Sequence, residues 1–175
     1  MLQMKVLQQA RGTRISMLDS MNLWIEIARD DLLAVMKSVD LIIINDGEVR
    51  MLAEDDNLIR ASRQLIAMVG CQTLIIKKGE NGVLAFHGDD MIALPAYPTE
   101  NVVDPTGCGD SFAGTIAACL AANNGPITKS ELRDALIRAT VTASFTLESF
   151  GTSGLIGLTL EKFKLRLAQF EEILS

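Results

Sequence analysis

An unbroken aliphatic run, Leu41 to Ile44, restricts the fold of this chain more than any other feature. A continuous apolar run of this length is typical of a strand that is buried on both faces, as in a parallel sheet. Thr73 to Lys77 is predicted to be a second such strand and Arg14 to Leu18 an earlier one. Apolar residues at helical spacing predict helices over 22–37 and 57–69. Strands that alternate with helices predict an α/β fold, a three-layer sandwich around a mostly parallel sheet.

The remaining elements extend this pattern over the rest of the chain. A hairpin is predicted where two short apolar runs flank Gly88-Asp89-Asp90. Thr128 and Glu131 form a capping-box pattern that predicts the start of a helix. The other predicted elements are a short helix over 48–52, strands over 83–87 and 91–94, and helices over 109–122 and 160–174. We expect one domain over residues 1–175.

Composition narrows the functional classes. Of 175 residues, 49% are hydrophobic, and the net charge is -6, which favours a globular domain and disfavours a nucleic-acid partner. Three cysteines without a C-x-x-C pair favour reduced thiols in the cytoplasm, and a single histidine disfavours a zinc site or a histidine-based triad. No apolar run is long enough to cross a bilayer, and the N-terminal residues do not form a signal peptide, so we expect no membrane partner.

A glycine-rich turn provides the strongest chemical signal. Gly107 and Gly109 flank Cys108, and a helix is predicted to follow at once. Glycines allow close approach of a ligand, and the free amides of a helix N-terminus attract an anion. Asp110 lies in the first turn, where the helix dipole favours its ionised form, so that it is able to accept a proton. The alternative is an ordinary tight turn in which Cys108 is a small filler, or a thiol whose pKa is lowered by the helix.

The residues from Asp104 to Gly114 read D-P-T-G-C-G-D-S-F-A-G. This segment resembles the second signature of the ribokinase (PfkB) family, D-T-x-G-A-G-D-x-F-x-G, with Pro105 and Cys108 as mild departures. The resemblance implies an ATP-dependent kinase that phosphorylates a hydroxyl of a sugar or nucleoside. It implies that Asp110 is the catalytic base and that the amides of Gly107, Cys108 and Gly109 form an anion hole for the transferred phosphoryl group.

Two further turns lie at the ends of predicted strands, in the order that the family has them. Asn45 to Glu48 resembles the N-x-x-E motif, which implies that Asn45 contributes to the nucleotide site and that Glu48 holds Mg²⁺ through water. The alternative is a solvated turn with a helix-capping Asn or Asp. Lys78, Gly79 and Gly82 resemble the nucleotide-binding turn of the family, and the alternative is an ordinary hairpin loop.

The resemblance extends to the adenine pocket and to a monovalent cation. It implies that Thr140 faces the adenine and that Gly151 closes the pocket over it. Many family members bind a cation such as K⁺ beside the anion hole, and Asp104 and Thr106 stand at the matching positions, with carbonyls near Thr146 and Gly151.

The resemblance runs from about residue 13 to residue 157 and matches only the later part of the family fold. The glycine-pair motif, most sugar contacts and the lid of the family have no counterpart here. We therefore expect either a truncated chain or a relative that has lost substrate binding. A missing half exposes a sheet edge and apolar surface, which predicts a homo-oligomer. Two alternatives remain open. One is an ATP-binding module without turnover, and the other is an α/β interaction protein whose glycine-rich turn no longer has a function.

Overall fold

A five-stranded sheet organises the fold in the computed structural model, which describes residues 2–10 and 12–175. Its strands lie in sequence order and pair in parallel from β1 to β3, with Leu41 opposite both Met17 and Thr73. The strands are β1 (Met17–Asp19), β2 (Leu41–Asn45), β3 (Thr73–Lys77), β4 (Val83–His87) and β5 (Asp90–Leu94). The predicted α/β fold with a mixed, mostly parallel sheet is confirmed.

Helices follow or precede most of these strands. They are α1 (Leu2–Gln9), α2 (Asn22–Ile27), α3 (Arg29–Met36), α4 (Asp46–Ala53), α5 (Leu58–Val69), α6 (Cys108–Ala121), α7 (Lys129–Leu147), α8 (Ser153–Ile156) and α9 (Leu160–Ile173), with a 3₁₀ turn at Gly79–Asn81. None of the helices in the described ranges is long and apolar enough to cross a membrane.

The helix predicted over 22–37 is wrong in one respect, because the chain breaks at Ala28. Ala28 has φ -151° and ψ 40°, so α2 and α3 are separate helices. Asn22 does not cap α2, whose N-cap is Met21 without a side-chain hydrogen bond. Arg29 donates from Nη2 to the Leu52 carbonyl at 2.8 Å, which fixes the start of α3 by a contact remote in sequence. Strand β1 also begins at Met17 rather than at residue 14.

The chain divides into two compact units. The first comprises the residues up to Lys78 together with Leu84–Ile92. Its core is built on β2 and β3, where Ile42, Ile44 and Leu74 are completely buried, as the continuous apolar run predicts. One domain over the whole chain stays a prediction.

The second unit comprises Gly79–Val83 and Ala93–Ser175. Helix α7 packs against both α6 and α9 in this unit. Phe112 and Ile116 of α6 are buried, as are Leu136 of α7 and Phe170 of α9. This helical core supports the glycine-rich turn, which leads directly into α6.

Candidate active site

The turn from Asp104 to Ser111, here the 104–111 turn, is shaped by two local hydrogen bonds. The Thr106 amide donates to Oδ1 of Asp104 at 2.9 Å, and the Cys108 amide donates to the Pro105 carbonyl at 3.1 Å. Hydrogen bonds from the Thr106 backbone and side chain lower the pKa of Asp104, so that this carboxylate stays ionised. Gly107 has φ 84° as the N-cap of α6, a conformation that favours glycine.

Free amides remain at the start of α6. The N–H groups of Gly107, Gly109 and Asp110 donate to no acceptor among residues 2–10 and 12–175. Unpaired amides at a helix N-terminus carry a partial positive charge and suit an anion. The Cys108 amide, which the resemblance also assigns to the anion hole, is taken by Pro105 in this structure.

Asp110 presents its carboxylate from the first turn of α6. Its side chain is exposed and has no hydrogen-bond or ion-pair partner in the part of the chain that the structure describes. A carboxylate without a partner is able to accept a proton from a ligand hydroxyl. The geometry therefore combines a free base with free amide donors within one helical turn.

The last turn of α7 holds the 104–111 turn at both ends. The Leu147 carbonyl accepts from the amides of Val103 at 3.0 Å and Asp104 at 3.2 Å. At the other end, Oγ1 of Thr146 donates to Oγ of Ser111 at 2.9 Å. We did not predict the Thr146–Ser111 contact from the sequence, because two hydroxyl residues 35 positions apart form no local pattern.

Cys108 is a half-buried part of this packing. Its Sγ lies 3.6 Å from the Ala143 carbonyl of α7. Burial, followed by the charge of Asp104, raises the pKa of the Cys108 thiol. This direction is opposite to a thiol pKa lowered by the helix, and it agrees with the alternative in which Cys108 is a small filler of the turn.

In the first unit, Asn45 and Glu48 form a capping box at the start of α4. The Glu48 amide donates to Oδ1 of Asn45, and the Asn45 amide donates to Oε2 of Glu48, both at 2.8 Å. Glu48 is only 1% exposed. Burial raises its pKa, against the Asn45 amide and Lys77, which lower it. Asn45 thus caps α4, and Glu48 is buried although Asn45 and Asp46 are partly exposed and Gly47 is exposed.

The residues around Glu48 suit a hydrated magnesium ion better than one that the protein coordinates directly. No group of three or more acidic, histidine or cysteine side chains suited to a metal occurs in the described ranges. Asp19 is bound to Lys77, with Nζ 2.9 Å from both carboxylate oxygens. Oε1 of Glu48 accepts no hydrogen bond from the described residues. This set suits a magnesium ion that keeps its waters, and it does not form a protein cage.

The predicted nucleotide turn is a 3₁₀ turn that depends on glycine. Gly79 has φ 56° and Gly82 has φ 81°, and the Gly82 amide donates to the Gly79 carbonyl at 3.1 Å. A Cβ on Gly82 would lie 2.1 Å from the Leu94 carbonyl oxygen. Lys78, at the preceding position, is partly exposed and makes no ion pair with a described residue.

The two positions assigned to the adenine pocket lie on and just after α7. Thr140 is half-buried and donates from Oγ1 to the Leu136 carbonyl at 2.9 Å. Gly151 is exposed, with φ 57°, in the turn that follows α7. Thr140 and Gly151 belong to the same unit as Asp110, whereas Asn45, Glu48 and Lys78 belong to the other.

Comparison with known proteins assigns the family. The family model described as "pfkB family carbohydrate kinase" matches residues 1–156. The chain therefore belongs to the pfkB family of carbohydrate kinases.

One curated protein is similar to this chain in sequence, and solved structures at 24% identity share its fold. The chain is 36% identical over 121 residues to a cytidine kinase from Thermococcus kodakarensis, covering 66% of this chain and 42% of that protein. A crystal structure of a putative ribokinase II from E. coli, in its apo form, superposes with a TM-score of 0.77 at 24% identity, covering 95% of this chain and 53% of that one. The same E. coli protein in complex with ATP and Mg²⁺ gives a TM-score of 0.69, covering 86% of this chain and 47% of that one. The chain thus spans about half the length of these proteins.

Proposed function

We propose that this chain carries the phosphoryl-transfer site of an ATP-dependent kinase whose acceptor is a hydroxyl of a sugar or nucleoside. One observation carries the proposal: the unpartnered carboxylate of Asp110 lies in the same helical turn as the free amides of Gly107 and Gly109. Asp110 takes the proton of the attacking hydroxyl, and the amides stabilise charge on the transferred group. Phosphoryl transfer needs mainly positioning and charge stabilisation, which these groups supply.

ATP and Mg²⁺ are the proposed cofactors. The E. coli relative binds both in its crystal structure. In this chain Glu48 would hold the hydrated magnesium through its free oxygen, and magnesium would neutralise phosphate charge. Lys78, Gly79 and Gly82 are proposed to contact the phosphates, and Thr140 and Gly151 the adenine. The ionised carboxylate of Asp104 supports a K⁺ site beside Thr106, which is part of the same proposal.

The decisive experiment separates ATP binding from transfer. Calorimetry measures ATP binding to the whole chain with Mg²⁺, and a coupled assay measures ADP release with ribose and with cytidine, in K⁺ and in Na⁺. Asp110→Asn is expected to lower the rate of phosphoryl transfer by about 10² to 10⁴-fold while ATP binding persists. Asp134→Asn, an exposed carboxylate on α7, serves as the control and should behave like wild type. Equal transfer by Asp110→Asn and wild type would refute the role of Asp110.

A second candidate is a nucleotide-binding module without turnover. It rests on the free amides of Gly107 and Gly109, which suit a nucleotide phosphate whether or not Asp110 takes part in transfer. It predicts ATP binding by calorimetry and no ADP release above background with any acceptor. Failure to bind ATP or ADP would instead favour an interaction protein.

Self-association and a cytoplasmic location stay predictions. Leu23, Trp24 and Ile27 of α2 are exposed, which supports association through this helix. Light scattering of the whole chain at high concentration tests this, and a monomer there would contradict it.

A further inference from the structure

Arg166 of α9 contacts two aromatic rings and two polar partners. Its guanidinium carbon lies 3.7 Å from the ring centroid of Phe145 and 5.0 Å from that of Tyr97. Nη1 donates to Oγ of Ser144 at 3.0 Å, and Nη2 donates to Oε2 of Glu148 at 2.8 Å. The Arg166 and Glu148 side chains are 18% and 19% exposed, so this pair is better shielded than an ordinary surface ion pair. The planar fork of arginine makes both hydrogen bonds while it contacts the rings, whereas an ammonium group replaces this arrangement only in part.

Glu148 connects Arg166 to a third segment of the chain. Its second oxygen, Oε1, accepts from Oγ1 of Thr99 at 2.7 Å. Helix α9, the end of α7 and the segment before the 104–111 turn are therefore joined through one carboxylate. We call Arg166, Glu148 and Thr99 the Glu148 clamp.

The Glu148 clamp lies next to the two residues that hold the 104–111 turn. Leu147, one position earlier, accepts the amides of Val103 and Asp104, and Thr146 donates to Ser111. Ser144 and Glu148, the two partners of Arg166, are one helical turn apart and bracket Thr146 and Leu147. A shift of this last turn of α7 therefore moves both ends of the 104–111 turn together.

We propose that Arg166 is a positioning residue of the phosphoryl-transfer site: through Glu148 it fixes the last turn of α7, and thereby the amides of Gly107 and Gly109. The inference rests on the proposed function, because it assumes that those amides bind the transferred phosphoryl group. Arg166 acts at a distance and does not contact the reacting atoms. Misplacement of reacting groups by about 1 Å costs on the order of 10²-fold in rate, so a distant clamp has a measurable effect.

The attachment of α9 does not depend on Arg166 alone. Leu167 and Phe170 on the same helix are buried, and the Phe170 ring packs on Tyr97 with centroids 5.7 Å apart. Arg166→Met should therefore leave α9 attached while it releases Glu148. Lys164→Met removes an exposed cation from the same helix and is the matched control. Glu148→Gln keeps an acceptor for Thr99 and weakens only the charged contact, in case Arg166→Met does not fold.

The first readout is independent of activity. The amide ¹H–¹⁵N resonances of Gly107 and Gly109 are recorded by NMR in the whole chain. We expect both to shift, or to broaden, in Arg166→Met and Glu148→Gln and to stay unchanged in Lys164→Met, with Arg166→Lys in between. Unchanged glycine resonances in folded Arg166→Met or Glu148→Gln would overturn the inference, even if the melting temperature falls, since that result describes a structural role only.

The second readout is kinetic. If the wild-type chain transfers phosphate, Arg166→Met should lower kcat by about tenfold or more with a smaller change in KM for ATP, and Arg166→Lys should recover part of the loss. Wild-type kcat in Arg166→Met would also overturn the inference. If the wild-type chain shows no transfer, the proposed function fails, and the glycine resonances still decide whether the Glu148 clamp positions the turn.

Discussion

Oγ1 of Thr146, near the end of α7, donates a hydrogen bond to Oγ of Ser111 in the first turn of α6, 2.9 Å away. Ser111 in turn donates to the Cys108 carbonyl at 3.1 Å. Thr146 is 2% exposed, so the bond is shielded from water. A side chain of one helix therefore fixes the residue that follows the proposed base, Asp110.

Thr146→Val tests this contact, because valine keeps the shape and removes the hydroxyl. We expect the free energy of unfolding to fall by about 1 kcal/mol, the usual net value of a buried hydrogen bond. Urea denaturation followed by circular dichroism measures it. Thr142→Val, one turn earlier, is the control, because it loses only a hydrogen bond from Oγ1 to the Arg138 carbonyl of its own helix. Its free energy of unfolding should change by less than about 0.5 kcal/mol. Equal losses in the two variants would contradict the special role of Thr146.

Gly107→Ala tests the left-handed N-cap of α6. Gly107 has φ 84°, and a Cβ there would lie 3.6 Å from Cγ2 of Thr146, an ordinary contact, so the cost comes from the backbone alone. We expect a loss of about 1–2 kcal/mol in the free energy of unfolding, together with weaker ATP binding. Gly114→Ala in the same helix meets no atom within 4 Å and should stabilise by about 1 kcal/mol. A stabilised Gly107→Ala would contradict the assigned turn.

Local patterns predicted a large part of this fold. The apolar run of β2 is buried as expected, and so are Leu74, Ile75 and Ile76 of β3, because burial on both faces favours apolar side chains. The capping box at Thr128 and Glu131 begins α7 as predicted, since its hydrogen bonds join residues three apart. Sequence also singled out Asp110 and the glycines beside it, because the chemistry and the turn lie in one short segment.

Features that depend on remote residues were not predicted. The break at Ala28 carries no glycine or proline, and α8 is too short to show periodicity. The Glu148 clamp joins residues up to 67 positions apart, from Thr99 to Arg166, so no window of sequence reports it. Burial of Glu48 was likewise missed, because the sequence shows an acidic residue in a helix start and not the core around it. Packing decides all of these features.

Gly82→Ala tests whether the 3₁₀ turn needs glycine for space as well as for φ. A Cβ on Gly82 would lie 2.1 Å from the Leu94 oxygen and 2.5 Å from the Pro95 carbonyl carbon, both backbone atoms that cannot rotate away. We expect a loss of about 3 kcal/mol or more, from overpacking and backbone strain together. Gly79 also has a positive φ, 56°, but a Cβ there would meet no atom within 4 Å. Gly79→Ala should therefore lower the free energy of unfolding by only about 1–2 kcal/mol. Urea denaturation of the pair separates the two causes, and similar losses would exclude the steric one.

Glu48→Gln tests the buried carboxyl through pH. Burial raises the pKa of Glu48 in the folded state, so the folded chain holds the Glu48 proton more tightly than the unfolded chain does. The protonated carboxyl therefore adds to the free energy of unfolding at low pH, and this contribution is lost as the pH rises through the raised pKa. Glutamine keeps an oxygen for the Asn45 amide and carries no charge. Without Mg²⁺, we therefore expect the variant to melt above wild type at neutral pH, with a difference that shrinks as the pH falls below the raised value. Glu26→Gln, exposed on α2, is the control, measured by calorimetry. A difference independent of pH would show that burial does not govern this carboxyl.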